Sequence, residues 1–269
     1  FKIGFTNRGI WPRYNVAAPI WGTVWNTGLT HCEGRGLLSL RDTCQPRIEP
    51  ETVFGMRSTP TPGASLDDLF DAIDWVAPGF EIVQSHLPEW KFAAADAVAD
   101  GGLHARLLVG RRIARDDIGA NAAQLQAALA GASVVLRRDK KAVDRGVGAN
   151  VLDGPLLALQ HFVRELHQCP GAPDVMPGDV VTTGTWTDAW PAELTRLRLE
   201  AEMSVADEAA RQAVEQRGVD RGAAQLTDGH GGERRPAGRR TAGIIAGLLA
   251  VLALFTWVWL GYWMKELGR

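Results

Sequence analysis

Cysteine is scarce in this chain: Cys32, Cys44 and Cys169 are the only three among 269 residues. An odd number without paired metal-type spacing argues against a disulfide scaffold or a zinc site, and suits a reducing cytosol. Excess charge of one sign is missing too. The chain carries 29 basic against 31 acidic side chains, a formal net charge of −2, so no nucleic-acid partner is expected. Internal repeats, a phosphate loop, a dinucleotide fingerprint and a nucleophile elbow are all lacking. Gly146-Val147-Gly148 is glycine-rich but has no strand-to-helix context. The opening residues do not have the pattern expected of a signal peptide. The first residues, FKIGFTN, already read as a strand entering a turn, so the numbering is expected to begin inside a longer natural chain.

What is present is a chain long enough for one sizeable core or two small ones. Residues 1–56 are short apolar runs punctuated by glycine and proline, a pattern of strands and loops. Ser65 precedes a capping-box-like start, and Leu66, Leu69, Phe70, Ile73 and Val76 follow at helical spacing until Pro78-Gly79. Phe80 to Val83 reads as a short strand carrying Glu81 among apolar neighbours, a costly burial unless that carboxylate is paired or binds a cation. Residues 88–100 read as a helix and 103–110 as a strand. Residues 111–131 read as a mostly surface segment with a short alanine-rich helix. A hairpin across residues 139–141 follows, then an amphipathic helix from Pro155 to about Cys169, and a β-prone run at 180–185.

After Pro191 the character changes. Residues 192–217 are charged and helix-favouring, and 218–241 read as a flexible basic linker. Residues 242–264 form a charge-free run of the length that crosses a bilayer, with Trp257, Trp259, Tyr262 and Trp263 crowding one end. Arg234, Arg235, Arg239 and Arg240 precede it, which orients the large N-terminal part to the cytoplasm, anchored to the cytoplasmic membrane. A buried core helix is the competing reading of that run.

The stretch with most chemistry in it is Arg47-Ile48-Glu49-Pro50-Glu51-Thr52. In an extended strand Glu49 and Glu51 project from one face while Ile48, Pro50 and Thr52 face the other way. Two carboxylates side by side repel each other unless a cation lies between them, and Mg²⁺ or Mn²⁺ is the usual solution. An edge strand with a solvated acidic face explains the same spacing, and proline favours edges. Both readings stand on spacing alone.

Six segments occur in order: Lys2-Ile3-Gly4-Phe5-Thr6-Asn7, Pro19-Ile20-Trp21-Gly22, Pro46 to Glu51, Phe80 to Val83, Val98 to Gly101, and Pro177 to Gly184. Together, over residues 1–191, they resemble the 2-keto-4-pentenoate hydratase / 4-oxalocrotonate decarboxylase group within the fumarylacetoacetate hydrolase superfamily. The resemblance implies an α+β fold, a mixed β-sandwich roll that here lacks its N-terminal part. It also implies a homo-oligomer and Mg²⁺ or Mn²⁺ held by Glu49, Glu51 and Glu81. In such enzymes the cation binds the carboxylate and 2-oxo oxygens of a 2-keto acid and favours its enolate form. Lys2 is then the residue that moves protons, its pKa lowered beside the cation. Thr6, Gly184 and Thr185 are implied substrate contacts. Asp100 reads as a helix end and His86 as structural.

The implied activity is a metal-dependent lyase, a hydratase of 2-hydroxy-2,4-dienoates or 2-keto acids from aromatic-ring degradation. A 2-oxo acid decarboxylase or C–C hydrolase would share the metal site. A non-catalytic, membrane-anchored partner protein on a degraded enzyme fold is an alternative of another class. Two features depart from the pattern. Trp25-Asn26-Thr27 stands where hydratases carry an acidic residue, and the closing strand after Pro191 is expected to be replaced by the charged helix.

Overall fold

Runs of β-branched and aromatic residues set the framework, and pairing between distant runs decides where each one stops. The computed structural model describes residues 1–138, 141–192 and 196–200. The strands are β1 (Lys2–Gly4), β2 (Ile20–Gly22), β3 (Leu29–His31), β4 (Arg35–Ser39), β5 (Arg47–Met56), β6 (Ile73–Val83) and β7 (His104–Val109). They continue with β8 (Ile113–Ala114), β9 (Ser133–Arg138), β10 (Lys141–Val147), β11 (Val180–Thr185), β12 (Trp190–Pro191) and β13 (Arg196–Glu200). The α-helices are α1 (Trp11–Tyr14), α2 (Leu66–Ala72), α3 (Ala94–Ala99), α4 (Arg115–Ile118), α5 (Ala122–Gly131) and α6 (Pro155–Gln168).

One mixed sheet of nine strands runs β2-β1-β11-β5-β6-β7-β3, with β12 also paired to β5 and β8 to β6. The β1–β11 and β3–β7 pairs are parallel. Its long centre is the antiparallel pair β5–β6. Even-numbered residues of both strands, Ile48, Phe54, Phe80 and Ile82 among them, face the main core, which also holds Leu69 of α2, Leu125 and Leu129 of α5, and Leu159 and Phe162 of α6. Apart from Ile73, which a register shift beside Met56 brings into the core, odd-numbered residues face the other way, where Val53 and Ala77 pack with Leu107, Val109 and Val180 in a smaller cluster. This division of faces is what places the acidic residues.

Four expectations need correction. Helix α2 begins as the sequence suggests, with Ser65 and Asp68 closing a capping box, but it ends at Ala72. Ile73 and Val76 are strand residues, because pairing of Val76 with Phe54 recruits this β-prone run into the sheet. Residues 88–100 are not one helix: Glu89 and Trp90 have φ of 56° and 57°, which interrupts any helical path before α3. The alanine-rich α5 is more than a surface element, since one side of it, Ala122, Leu125, Ala128 and Leu129, is buried in the main core. Within the expected charged helix, Arg196–Glu200 is a strand paired antiparallel with β4. Its Arg-Leu-Arg-Leu-Glu alternation has the period of a strand, and just before it β12 pairs with Ile48 and Arg47 of β5. The linker, the expected span at 242–264 and the rest of the charged segment lie outside the described residues. Among the described residues no helix is long and apolar enough to cross a membrane.

Candidate metal centre

The register of β5 and β6 builds the centre. Glu49 stands directly opposite Glu81, and Glu51 opposite Gly79. Alternation sends all three side chains to the face away from the main core, and one oxygen of each lies within 4.8 Å of the others. The edge-strand reading fails here. β5 is central, between β11 and β6, so Pro50 sits in an interior strand and its carbonyl accepts from Trp186 N. Glu51 and Glu81 are almost fully buried, at 2% and 0% exposure, and Glu49 is half-buried.

Like charges placed opposite one another across a sheet are destabilising, the more so out of water. Several neighbours offset this. Lys2 Nζ lies 3.1 Å from Glu81 Oε2, and His104 Nδ1 lies 2.7 Å from Glu81 Oε1. Glu51 Oε2 accepts from Gly184 N at 2.7 Å and from the Thr182 hydroxyl. Glu51 Oε1 and His104 Nε2 are buried without a hydrogen-bond partner.

The electrostatics follow. Burial, opposed by Lys2 and reinforced by Glu81, raises Glu49 to about 7. Burial, then Glu81 and Glu49, push Glu51 well above the usual carboxylate range. Burial alone would raise Glu81 as well, but Lys2 and His104 hold it below that range. For Lys2, burial disfavours the ammonium, yet Glu81, Glu49 and Glu51 outweigh it and raise the pKa. The lowered value expected for Lys2 therefore requires added positive charge at the triad. A divalent cation fits this donor set: hard carboxylate oxygens converge, and one of them, Glu51 Oε1, has no other partner.

A break in the β11–β5 register between Thr182 and Thr185 turns Gly184 N toward Glu51. Gly184 has φ of +98°, and a Cβ there would stand 1.9 Å from Thr6 Oγ1. Only glycine allows that approach. On the opposite side Lys2 Nζ donates to Gly102 O at 2.8 Å.

A cavity of about 280 Å³ opens beside the triad. Lys2, Thr6, Glu49, Gly184 and Thr185 line it, so five of the sequence-derived site residues share its wall; Glu51 and Glu81 lie buried behind. The facing wall is aromatic, with Tyr14 stacked between Phe5 and Phe92 at ring distances of 5.4 and 5.2 Å. Phe5 and Trp90 both line the cavity with left-handed backbones, φ 56° and 57°, strain of the kind that collects at functional sites. Arg13 and Arg47 add positive charge to the wall, and Arg47 lies 4.1 Å over the Trp90 ring. His86 and Asp100 pair with each other at 2.7 Å, Asp100 at the end of α3.

His104 is the residue that sequence reasoning missed. A register shift between Ile82 and Val83 skips Ala105, so His104 rather than Ala105 comes opposite Val83, on the face of Glu81. Nothing in the local pattern of Leu103 to Val109 signals that shift; a lone histidine opening an apolar strand was the available sign.

No family model matches the chain. A 2-hydroxyhexa-2,4-dienoate hydratase from Comamonas testosteroni is 29% identical over 194 residues, covering 71% of this chain and 69% of that protein. A 4-oxalocrotonate decarboxylase from a Pseudomonas species is 27% identical over 158 residues, 59% of this chain and 57% of its own length. The chain thus spans little more than half to two thirds of these relatives. Among solved structures, 4-oxalocrotonate decarboxylase from Pseudomonas putida G7, complexed with magnesium and adipate, superposes with a TM-score of 0.63 at 24% identity, over 74% of this chain and 71% of that one. The chain has the fold of the fumarylacetoacetate hydrolase superfamily and, over about 70% of its length, is similar to its 2-keto-4-pentenoate hydratase / 4-oxalocrotonate decarboxylase group.

Proposed function

We propose that the chain is a metal-dependent hydro-lyase acting on 2-hydroxy-2,4-dienoates or related 2-keto acids of aromatic catabolism. One observation carries this reading: Glu49, Glu51 and Glu81 converge beside Lys2 at the wall of a cavity sized for a small acid. Those carboxylates would hold Mg²⁺ or Mn²⁺, which supplies Lewis acidity to the oxygens of a 2-oxo acid. Lys2 carries the proton that this chemistry needs, and the carbonyl of Gly102 orients its ammonium. Thr6, Gly184 and Thr185 shape the polar wall against the substrate, and the stacked Phe5, Tyr14 and Phe92 rings supply an apolar wall for a conjugated chain.

Decarboxylation of a 2-oxo dicarboxylate is the second reading. Arg13 and Arg47 on the cavity wall favour it, since a second carboxylate would find a cationic partner there. The two are separated by following ultraviolet absorbance with 2-hydroxypenta-2,4-dienoate and with 4-oxalocrotonate in the presence of Mg²⁺ or Mn²⁺. Metal-dependent loss of the dienoate signal supports hydration. Carbon dioxide release from oxalocrotonate supports decarboxylation. Turnover of neither, with no cation bound by calorimetry, removes both. Anchoring through residues 242–264 is proposed on sequence alone: deleting 241–269 should release the protein from the membrane fraction with activity retained.

A further inference from the structure

Glu81 is held from both sides. His104 Nδ1 stands 2.7 Å from Oε1, with the two side chains 7% and 0% exposed. Lys2 Nζ stands 3.1 Å from Oε2. An ionised carboxylate only accepts, so the hydrogen on His104 lies on Nδ1, and the buried Nε2 then has no partner. Nε2 faces the turn at Asn26–Gly28, where a Cβ on Gly28 would come to 3.6 Å from it. The imidazole is buried beside that turn, and a single hydrogen bond, to Glu81, directs it. Burying a histidine with one nitrogen unsatisfied is unfavourable for stability alone. Its orientation serves Glu81.

The two contacts on Glu81 differ in kind. The bond to His104 is made by a buried ring on β7, brought there by the register shift of its strand. The contact to Lys2 is made by the end of a flexible side chain, at ion-pair distance. Glu81 would thus offer a cation Oε2, where only the Lys2 ammonium competes, while Oε1 stays committed to His104.

We infer that His104 is a positioning residue that fixes Glu81 so that Oε2, and not Oε1, is the oxygen offered to a divalent cation, with Lys2 leaving Oε2 as the cation arrives. This rests on reading the triad as a cation site. It adds to that reading a defined single-oxygen role for Glu81 and a coupling between metal loading and release of the lysine.

The test compares the full chain with its His104→Ala and His104→Asn forms, since asparagine places an amide N–H close to the Nδ1 position. Mg²⁺ binding is followed by calorimetry, and the Mn²⁺ electron paramagnetic resonance spectrum is recorded for each. Loss of a neighbour that orients a ligand costs about 10–100-fold in metal affinity. His104→Ala should weaken Mg²⁺ binding by about tenfold or more and broaden the Mn²⁺ spectrum, and His104→Asn should recover most of both. If His104→Ala does not fold, His104→Gln, which fills the space with a displaced donor, replaces it in the comparison. Unchanged affinity and spectrum in the alanine form, or no recovery with asparagine in a folded protein, overturns the inference while leaving the metal site standing. A wild-type chain that binds no divalent cation overturns the proposed function as well.

Discussion

Lys2 and Glu81 form an ion pair sealed from solvent, 3.1 Å apart with side chains 3% and 0% exposed. It joins β1 to β6, strands that are not neighbours in the sheet, and it occupies one flank of a carboxylate cluster. A buried ammonium there balances charge that the fold would otherwise leave uncompensated, and breaking such a pair exposes the remaining partner to the full desolvation penalty.

Replacing Lys2 by methionine keeps the stem and removes the charge. In the metal-free protein this should lower stability, because Glu81 loses its cation. Mg²⁺ affinity should be equal to or tighter than that of the wild type, since a competing positive charge is gone. Turnover should fall by about 100-fold or more, the range of a lost proton-transfer group. Calorimetry beside a dienoate assay checks this. Weaker metal binding would show that Lys2 supports the site rather than competes for it.

Glu51→Gln should act in the opposite sense. The glutamine removes one of the mutually repelling carboxylates while keeping the bonds from Gly184 N and the Thr182 hydroxyl available to its carbonyl oxygen. Metal affinity and rate should fall together by about tenfold or more. The melting temperature of the metal-free protein at pH 8 should rise. Unchanged Mg²⁺ affinity would remove Glu51 from the site.

The pH dependence has a definite sign. Glu49, raised to about 7 mainly by burial, contributes stability that is complete below its unfolded value and lost as pH rises through about 7. Glu51 is raised too and acts in the same direction. Glu81 is lowered, so its contribution is lost only on acidification, and Lys2, raised, loses its contribution only in strong alkali. The melting temperature of the metal-free protein should therefore fall between pH 5 and about 8. Mg²⁺ affinity should climb over the same interval, because the cation no longer displaces protons. A metal-free melting temperature that rises across that interval would contradict the carboxylate assignments.

Gly184→Ala tests the approach of β11 to the turn after β1. A methyl group would meet Thr6 Oγ1 at 1.9 Å, on a backbone with φ of +98°. Destabilisation of about 2 kcal/mol is expected from the strained conformation alone. Urea unfolding measures it. Weaker Mg²⁺ binding should accompany it, as Gly184 N moves away from Glu51.

Much of this protein was legible in local pattern. Period-two alternation put Glu49 and Glu51 on one face, the proline at the first turn marked the start of α6, and Ser65 with Asp68 marked the start of α2. These are statements about neighbours within a few residues, where steric and hydrogen-bond rules act without help. The strand at Arg196–Glu200 carried its alternation in plain view as well, and the high charge of its surroundings concealed it.

The chemistry of the centre needed the tertiary structure. Alternation cannot say whether a strand is central or at an edge, and only the pairing of β5 with both β6 and β11 excluded a solvated acidic face. The register that sets Glu49 against Glu81, the shift that turns His104 toward Glu81, and the break that aims Gly184 N at Glu51 are all relations between strands distant in sequence. A one-residue change in any of them sends a side chain to the opposite face. The sequence by itself determined which residues could bind a cation. Packing of the whole sheet decided that Glu49, Glu51 and Glu81 meet, and that Lys2 and His104 hold them, because only folding forces such charges together and out of water.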